Sequence, residues 1–144
     1  MGYLDELKKE QNNVLVVGDL HSPFIRQGYF EHCLKIRDIY NCEQIVFIGD
    51  IIDNHYSSYH DASPDGFGAG EELERAIAII QEWHKEFPVA KVCIGNHDAI
   101  ISRKAFSSGV SNKWVKDFDE VLGTPEWDFK QEHIIDNVMY VHGP

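Results

Sequence analysis

Three short apolar runs in this chain end in the same way. "VLVV" at 14–17 leads into "GDLH", "IVFI" at 45–48 into "GDIID", and "VCI" at 92–94 into "GNHD". Each run is continuous rather than alternating, as a strand covered on both faces should be. Each is followed by glycine and then by carboxylate, imidazole or amide. Between the first two runs, Tyr29, Cys33, Ile36 and Tyr40 mark one face of a helix. Between the second and third, a stronger helix is expected from about Glu71 to Phe87, stopped by Pro88. It carries Leu73, Ile77, Ile80 and His84 on one stripe, with Ala76, Trp83 and Phe87 beside it. This alternation predicts an α/β sheet. Ligands of such sheets gather outside the carboxyl ends of the strands, so the three polar fragments should meet at one edge.

After the third run, "DAIISRKAF" and "NKWVKDFDEVLG" read as short helices, and "HIIDNVMYVHG" as a hairpin turning at Asp136-Asn137. Asp53 to Gly70 is a long polar segment without periodicity, a length that usually signals function or disorder. Its "GFGAG" is not a dinucleotide loop, because position 71 is Glu and no strand precedes it. With 144 residues the chain is expected to form a single domain over 1–144. A net charge of −11 weighs against a general binder of phosphate backbones, while leaving room for a local basic patch or a bound cation. Cys33, Cys42 and Cys93 form no C-x-x-C pair, which points to a reducing compartment. The charged start "MGYLDELKKE" has no signal-like apolar region, and no run approaches the roughly 18 apolar residues of a membrane span. The expected location is cytoplasmic, with no membrane partner.

Singly, each polar fragment reads as turn chemistry: Gly allows positive φ, and Asp or Asn bonds nearby backbone. Jointly, on one sheet edge, they read as a metal centre. Asp19, His21, Asp50, Asn96 and a further His offer O and N donors without thiolate, a set suited to Mn²⁺, Fe or Zn²⁺. One carboxylate shared by two cations would hold them ~3.5–4 Å apart, the spacing used for phosphoryl displacement. Glycines before Asp50 and Asn96 should let the backbone turn those side chains inward.

In order, Asp19-Leu20-His21, Gly49-Asp50-Ile51-Ile52-Asp53, Gly95-Asn96-His97-Asp98 and His142-Gly143 resemble the D-x-H, G-D-x-x-D, G-N-H-[DE] and H-G signature of calcineurin-like metallophosphoesterases. The resemblance spans nearly the whole chain and implies a β-sandwich flanked by helices. It implies that Asp19 and His21 bind one metal, that Asp50 bridges, and that Asn96 and His142 bind the second. His97 would protonate the leaving oxygen, with the Asp53 carboxylate on its far nitrogen, and a water shared by the metals would attack phosphorus. The cofactors would be two divalent ions, Mn²⁺ first, with Fe, Zn²⁺ or Ni²⁺ as alternatives. The family's closing G-H-x-H is not reached before Pro144. A partial sandwich lacking its carboxyl-terminal strands is therefore expected, with an oligomer or a complementing chain supplying the remainder.

The resemblance leaves the substrate open: a phosphomonoester or phosphodiester, carried by a phosphorylated small molecule, a nucleotide or a nucleic-acid end. Asn54, His55, His60 and Arg103 are candidate substrate contacts, and Tyr56, Tyr59 and Phe67 could stack a base. Protein phosphatases of the family carry Arg where this chain has Asn54, which argues against that branch. The stretch from Asp53 to Pro88 is similar to phage and bacterial members. The alternatives to an enzyme are a non-catalytic scaffold of the same fold or an inactive truncated remnant. Outside the motifs, His32 and His133 read as surface or half-buried residues, and His84 as a hydrogen-bonded core histidine.

Overall fold

The computed structural model describes residues 13–58, 63–66 and 68–143. Its first sheet holds β1 (Val14–Val17), β2 (Gln44–Phe47), β3 (Ala90–Cys93) and β4 (Trp127–Lys130), all parallel and in that spatial order. The helices among the described residues are α1 (Tyr29–Ile39), α2 (Ala69–Glu86), α3 (Ile100–Ser107) and α4 (Phe118–Leu122), with a 3₁₀ turn at Asn112–Trp114. A sheet whose strands follow sequence order, joined by right-handed crossovers, places its connecting helices on one face. The other face is left for the antiparallel hairpin of β5 (Glu132–Ile135) and β6 (Val138–Val141).

The period of two along each strand divides the core accordingly. Leu15, Val17, Ile45, Phe47 and Val92 join Cys33 of α1, Ala76, Ile80 and Trp83 of α2, and Leu122 of α4 in the larger cluster. Val46 and Cys93 point the other way and meet Ile135 and Tyr140 of the hairpin. Trp83 lies at the centre of the larger cluster, 4.8 Å from the ring of Phe30 and about 6 Å from those of Tyr29, Phe47 and Phe87. The fold is thus the expected α/β sandwich flanked by helices.

Several local expectations change. The buried stripe of α2 is Glu72, Ala76, Ile80 and Trp83, so the residues read as flanking are the core ones, and Leu73, Ile77 and His84 take the margin. A glutamate at the head of that stripe disguised it. β4 was not anticipated: only Trp127 of its four residues is fully buried, and its indole N–H donates to the Phe87 carbonyl at 2.7 Å. His133 is buried rather than superficial. The Asp136-Asn137 turn, both residues at positive φ, fixes a register that points its ring inward, where Nε2 lies 3.0 Å from the Val92 carbonyl. His84 is half-buried, edge-on to Trp127 at 5.9 Å, and its Nε2 has no hydrogen-bond partner.

Candidate metal centre

Beyond the strand ends, the loops continue to pair. The His21 N–H donates to the Asp50 carbonyl at 2.8 Å, Ser22 N–H to Ile51 at 2.9 Å, and Asp53 N–H to Ser22 at 3.0 Å. This irregular parallel ladder holds the first two fragments side by side. Ser22, wholly buried, also donates its hydroxyl to Ala76 of α2 at 3.1 Å. The third fragment is tied in by Asp98, whose carboxylate accepts from Gly95 N–H at 2.9 Å and Ile52 N–H at 3.2 Å. Burial is the main cause that pushes the Asp98 carboxyl from its ordinary 3.8 up to about 6; the nearby Asp50 adds to it, and the bonds from backbone N–H oppose it.

The two glycines act differently from one another. Gly49 has φ +110°, and a Cβ there would lie 2.5 Å from His142 Nδ1, so both conformation and space require glycine. Gly95 has no such φ. A Cβ there would stand 2.9 Å from Asp50 Cγ and closer still to its Oδ1 and main-chain nitrogen. Its role is close approach of two loops rather than the sharp turn expected. His21, Asp50 and Asn54 carry the unusual backbone instead, with φ of 49°, 51° and 51°. Clustered left-handed non-glycine residues cost energy and mark functional positions.

Asp19, His21, Asp50, Asn96 and His142 converge. Asp50, nearly fully buried, places Oδ2 3.6 Å from His21 Nε2 and 3.3 Å from His142 Nε2, while its Oδ1 accepts the His97 N–H at 2.9 Å. Asp19 Oδ2 lies 3.7 Å from His21 Nε2. Each ring is oriented from behind. His21 Nδ1 meets Asp53 Oδ1 at 2.8 Å, and His142 Nδ1 meets the Ile48 carbonyl at 3.0 Å. Those partners accept, so each Nδ1 carries the proton and each Nε2 turns a lone pair toward the centre. His142 Nε2 then faces Asn96 Oδ1 at 2.9 Å as well as Asp50. A metal ion at this point would satisfy all three acceptors at once. The donor set therefore fits divalent cations: Asp19, His21 and Asp50 around one position, Asp50, Asn96 and His142 around a second.

The calcineurin-like phosphoesterase family model matches residues 13–144. The chain belongs to that family. No curated protein and no solved structure matches it. Metal-dependent phosphoester hydrolysis, typically with two metal ions, is the general chemistry of calcineurin-like phosphoesterases, and the Asp and His groups here are able to hold metal. No helix among the described residues is long and apolar enough to cross a membrane.

Within this family member the remaining expected site residues fall less uniformly. His97 packs edge-on against His21, ring centroids 4.7 Å apart. Its Nδ1 meets the Asp53 main-chain carbonyl at 2.5 Å, not the Asp53 carboxylate, which stands 3.8 Å away and is directed to His21. Of the two rings, His21 is the one within hydrogen-bond distance of that oxygen. Asn54 donates its amide to the His97 carbonyl at 2.9 Å and so acts as a clamp between loops. His55 reaches the site's edge, with Nδ1 3.9 Å from Asp53 Oδ2 and its ring 6.2 Å from Phe24. Arg103 donates to the Asn96 carbonyl at 2.9 Å. His60, Tyr59 and Phe67 lie outside the described residues.

Two positioning residues escaped the sequence reading. Asp98 was visible only as the last letter of a motif. Glu72, buried at the start of α2, accepts from His55 N–H at 2.6 Å and Tyr56 N–H at 2.9 Å, anchoring the loop that leaves Asp53. In the sequence only its four-residue spacing to Ala76 and Ile80 sets it apart from Glu71.

Proposed function

We propose that the chain hydrolyses phosphate esters at a dinuclear centre. Asp19 and His21 would hold one ion, Asn96 and His142 the other, and Asp50 would serve both. The observation that carries this reading is the single Asp50 oxygen set between two imidazole nitrogens at 3.6 and 3.3 Å. When bound, the ions polarise the phosphoryl oxygens and lower the pKa of the attacking water. Oxygen and nitrogen donors without sulfur suit Mn²⁺, Fe or Zn²⁺, of which Mn²⁺ is the first to test.

The chain's own residues supply the rest. His97 donates Nδ1–H to the Asp53 carbonyl, which leaves Nε2 to carry a proton to the leaving oxygen as the P–O bond breaks. The Asp53 carboxylate, 3.8 Å from that ring, is engaged by His21 instead, so the His97 ring is held by the main-chain carbonyl. The Asp50 bond to His97 N–H links the shared ligand to the acid, so both keep one geometry. The substrate is a phosphomonoester or phosphodiester of a small molecule, nucleotide or nucleic-acid end, and the free thiols of Cys33, Cys42 and Cys93 suit a reducing, cytoplasmic setting.

The test is Mn²⁺-dependent hydrolysis of p-nitrophenyl phosphate and bis-p-nitrophenyl phosphate, with metal content per chain, against Asp50→Asn. Turnover that disappears in the variant supports the proposal, and the preferred ester separates monoesterase from diesterase. No turnover with at most one ion bound overturns it in favour of a non-catalytic member of the fold.

A further inference from the structure

The segment from Ala99 to Lys116 has a charge unlike the rest of the chain. It holds Arg103, Lys104, Lys113 and Lys116 and no acid; subtracting its +4 from the total of −11 leaves −15 elsewhere. It comprises α3, a short connection and the 3₁₀ turn, and it presents two aromatic rings outward. Phe106 and Trp114 are each 85% exposed, the most exposed large apolar residues described. Single exposed apolar side chains need no explanation, but two such rings among four cations do.

This arm is joined directly to the metal centre. α3 starts from the His97 loop, with Ile100 N–H bonded to the His97 carbonyl at 3.2 Å. Arg103 holds the carbonyl of the ligand Asn96. Along α3 a shallow recess of about 430 Å³ is lined by Ala99, Ser102, Arg103, Phe106 and Ser107. Its lining combines small residues with the Arg103 guanidinium and the Phe106 ring, the chemistry a base and its phosphate need. At ~1.5 Å per residue, Phe106 stands roughly 9 Å along α3 from Ile100, which directly follows the His97 loop.

We propose that this arm is a track for single-stranded nucleic acid, with phosphates on Arg103, Lys104, Lys113 and Lys116 and bases stacked on Phe106 and Trp114. Cations that follow a backbone, interleaved with exposed rings, are what sequence-tolerant single-strand binding requires. The acidic remainder repels a long duplex and confines the strand to the arm. The inference rests on the phosphoesterase reading above and narrows its substrate to an oligonucleotide end.

The experiment measures binding of a fluorescein-labelled 12-nucleotide single strand in EDTA, by anisotropy and by quenching of tryptophan emission. Trp83 and Trp127 are buried, so the quenching reports Trp114. Wild type should bind with a log–log salt slope of roughly −2 to −3, at ~−0.7 per phosphate contacted. Phe106→Ala and Trp114→Ala should each weaken binding roughly five- to hundredfold, and Lys113→Glu/Lys116→Glu should flatten the slope. All three should hydrolyse bis-p-nitrophenyl phosphate like wild type. Equal binding by wild type and variants overturns the inference, as does binding to phosphatidylserine vesicles without binding to the strand. Ester hydrolysis without strand binding defeats the track alone. Strand binding that needs these residues, without turnover in Mn²⁺, defeats the hydrolase reading and leaves the track.

Discussion

Replacing Gly95 by alanine should separate the two loops on which the centre depends. A Cβ there falls 2.9 Å from Asp50 Cγ and nearer still to Asp50 Oδ1 and its main-chain nitrogen. Main chain cannot swing aside as a flexible side-chain end would, so the β2 and β3 loops must part. Three hydrogen bonds cross or brace that contact: His97 N–H to Asp50 Oδ1, Gly95 N–H to Asp98 Oδ2 and Ile52 N–H to Asp98 Oδ1. Each ends on a carboxylate, a class worth about 1.5–3 kcal/mol. Partial relaxation leaves an expected loss of about 3–5 kcal/mol, within the 5–15 kcal/mol of an ordinary domain. Urea denaturation of the metal-free protein by circular dichroism measures it, with a Mn²⁺ titration beside it. Gly70→Ala is the control: it lies in the first turn of α2 with open space around it, and should gain about 0.4–1 kcal/mol. If Gly95→Ala unfolds within about 0.5 kcal/mol of wild type and takes up Mn²⁺ equally well, the close approach of the loops is not what glycine serves there.

Two further perturbations follow from buried carboxylates. Glu72→Ala removes the acceptor for the His55 and Tyr56 amides, which should cost about 2–4 kcal/mol in urea denaturation and speed hydrogen exchange at those two amides; unchanged exchange would refute the anchoring role. The raised Asp98 carboxyl sets a pH dependence of the metal-free protein. A folded value of about 6 above an ordinary 3.8 contributes stability fully present below 3.8 and lost as pH rises through 6, in all roughly 3 kcal/mol. Asp98→Asn should flatten stability between pH 4 and 7 by about that amount, and an unchanged profile would assign the dependence elsewhere.

The candidate ligands Asp19, His21, Asp50 and Asn96 stand out in the sequence because the pattern that carries them is local: a short buried strand, a glycine, then a donor. The turn at Asp136-Asn137 was equally local, and with it the register that buries His133 could have been read. β4 could not, since "WDFK" alternates over too few residues, and its position is set by pairing with β3 rather than by its own composition. Glu72 was hidden because a lone carboxylate on an apolar stripe becomes intelligible only once the amides it meets are known. The same limit applies to orientation within the centre. His142 and His97 are each held by a main-chain carbonyl, those of Ile48 and Asp53, and every residue carries a carbonyl.

Asp53 makes the consequence testable, because its two acceptors serve different rings: the carboxylate holds His21 and the carbonyl holds His97. Asp53→Asn weakens the first and leaves the second intact. A partner behind a metal-binding histidine is worth about 10–100-fold in metal affinity, so one Mn²⁺ should bind that much more weakly. Once Mn²⁺ saturates the variant, the dependence of rate on leaving-group pKa should match wild type, because the ring that protonates the leaving oxygen keeps its support. Unchanged Mn²⁺ affinity with a steeper leaving-group dependence would place the carboxylate behind His97 instead, and the contact with His21 would then belong to the metal-free arrangement alone.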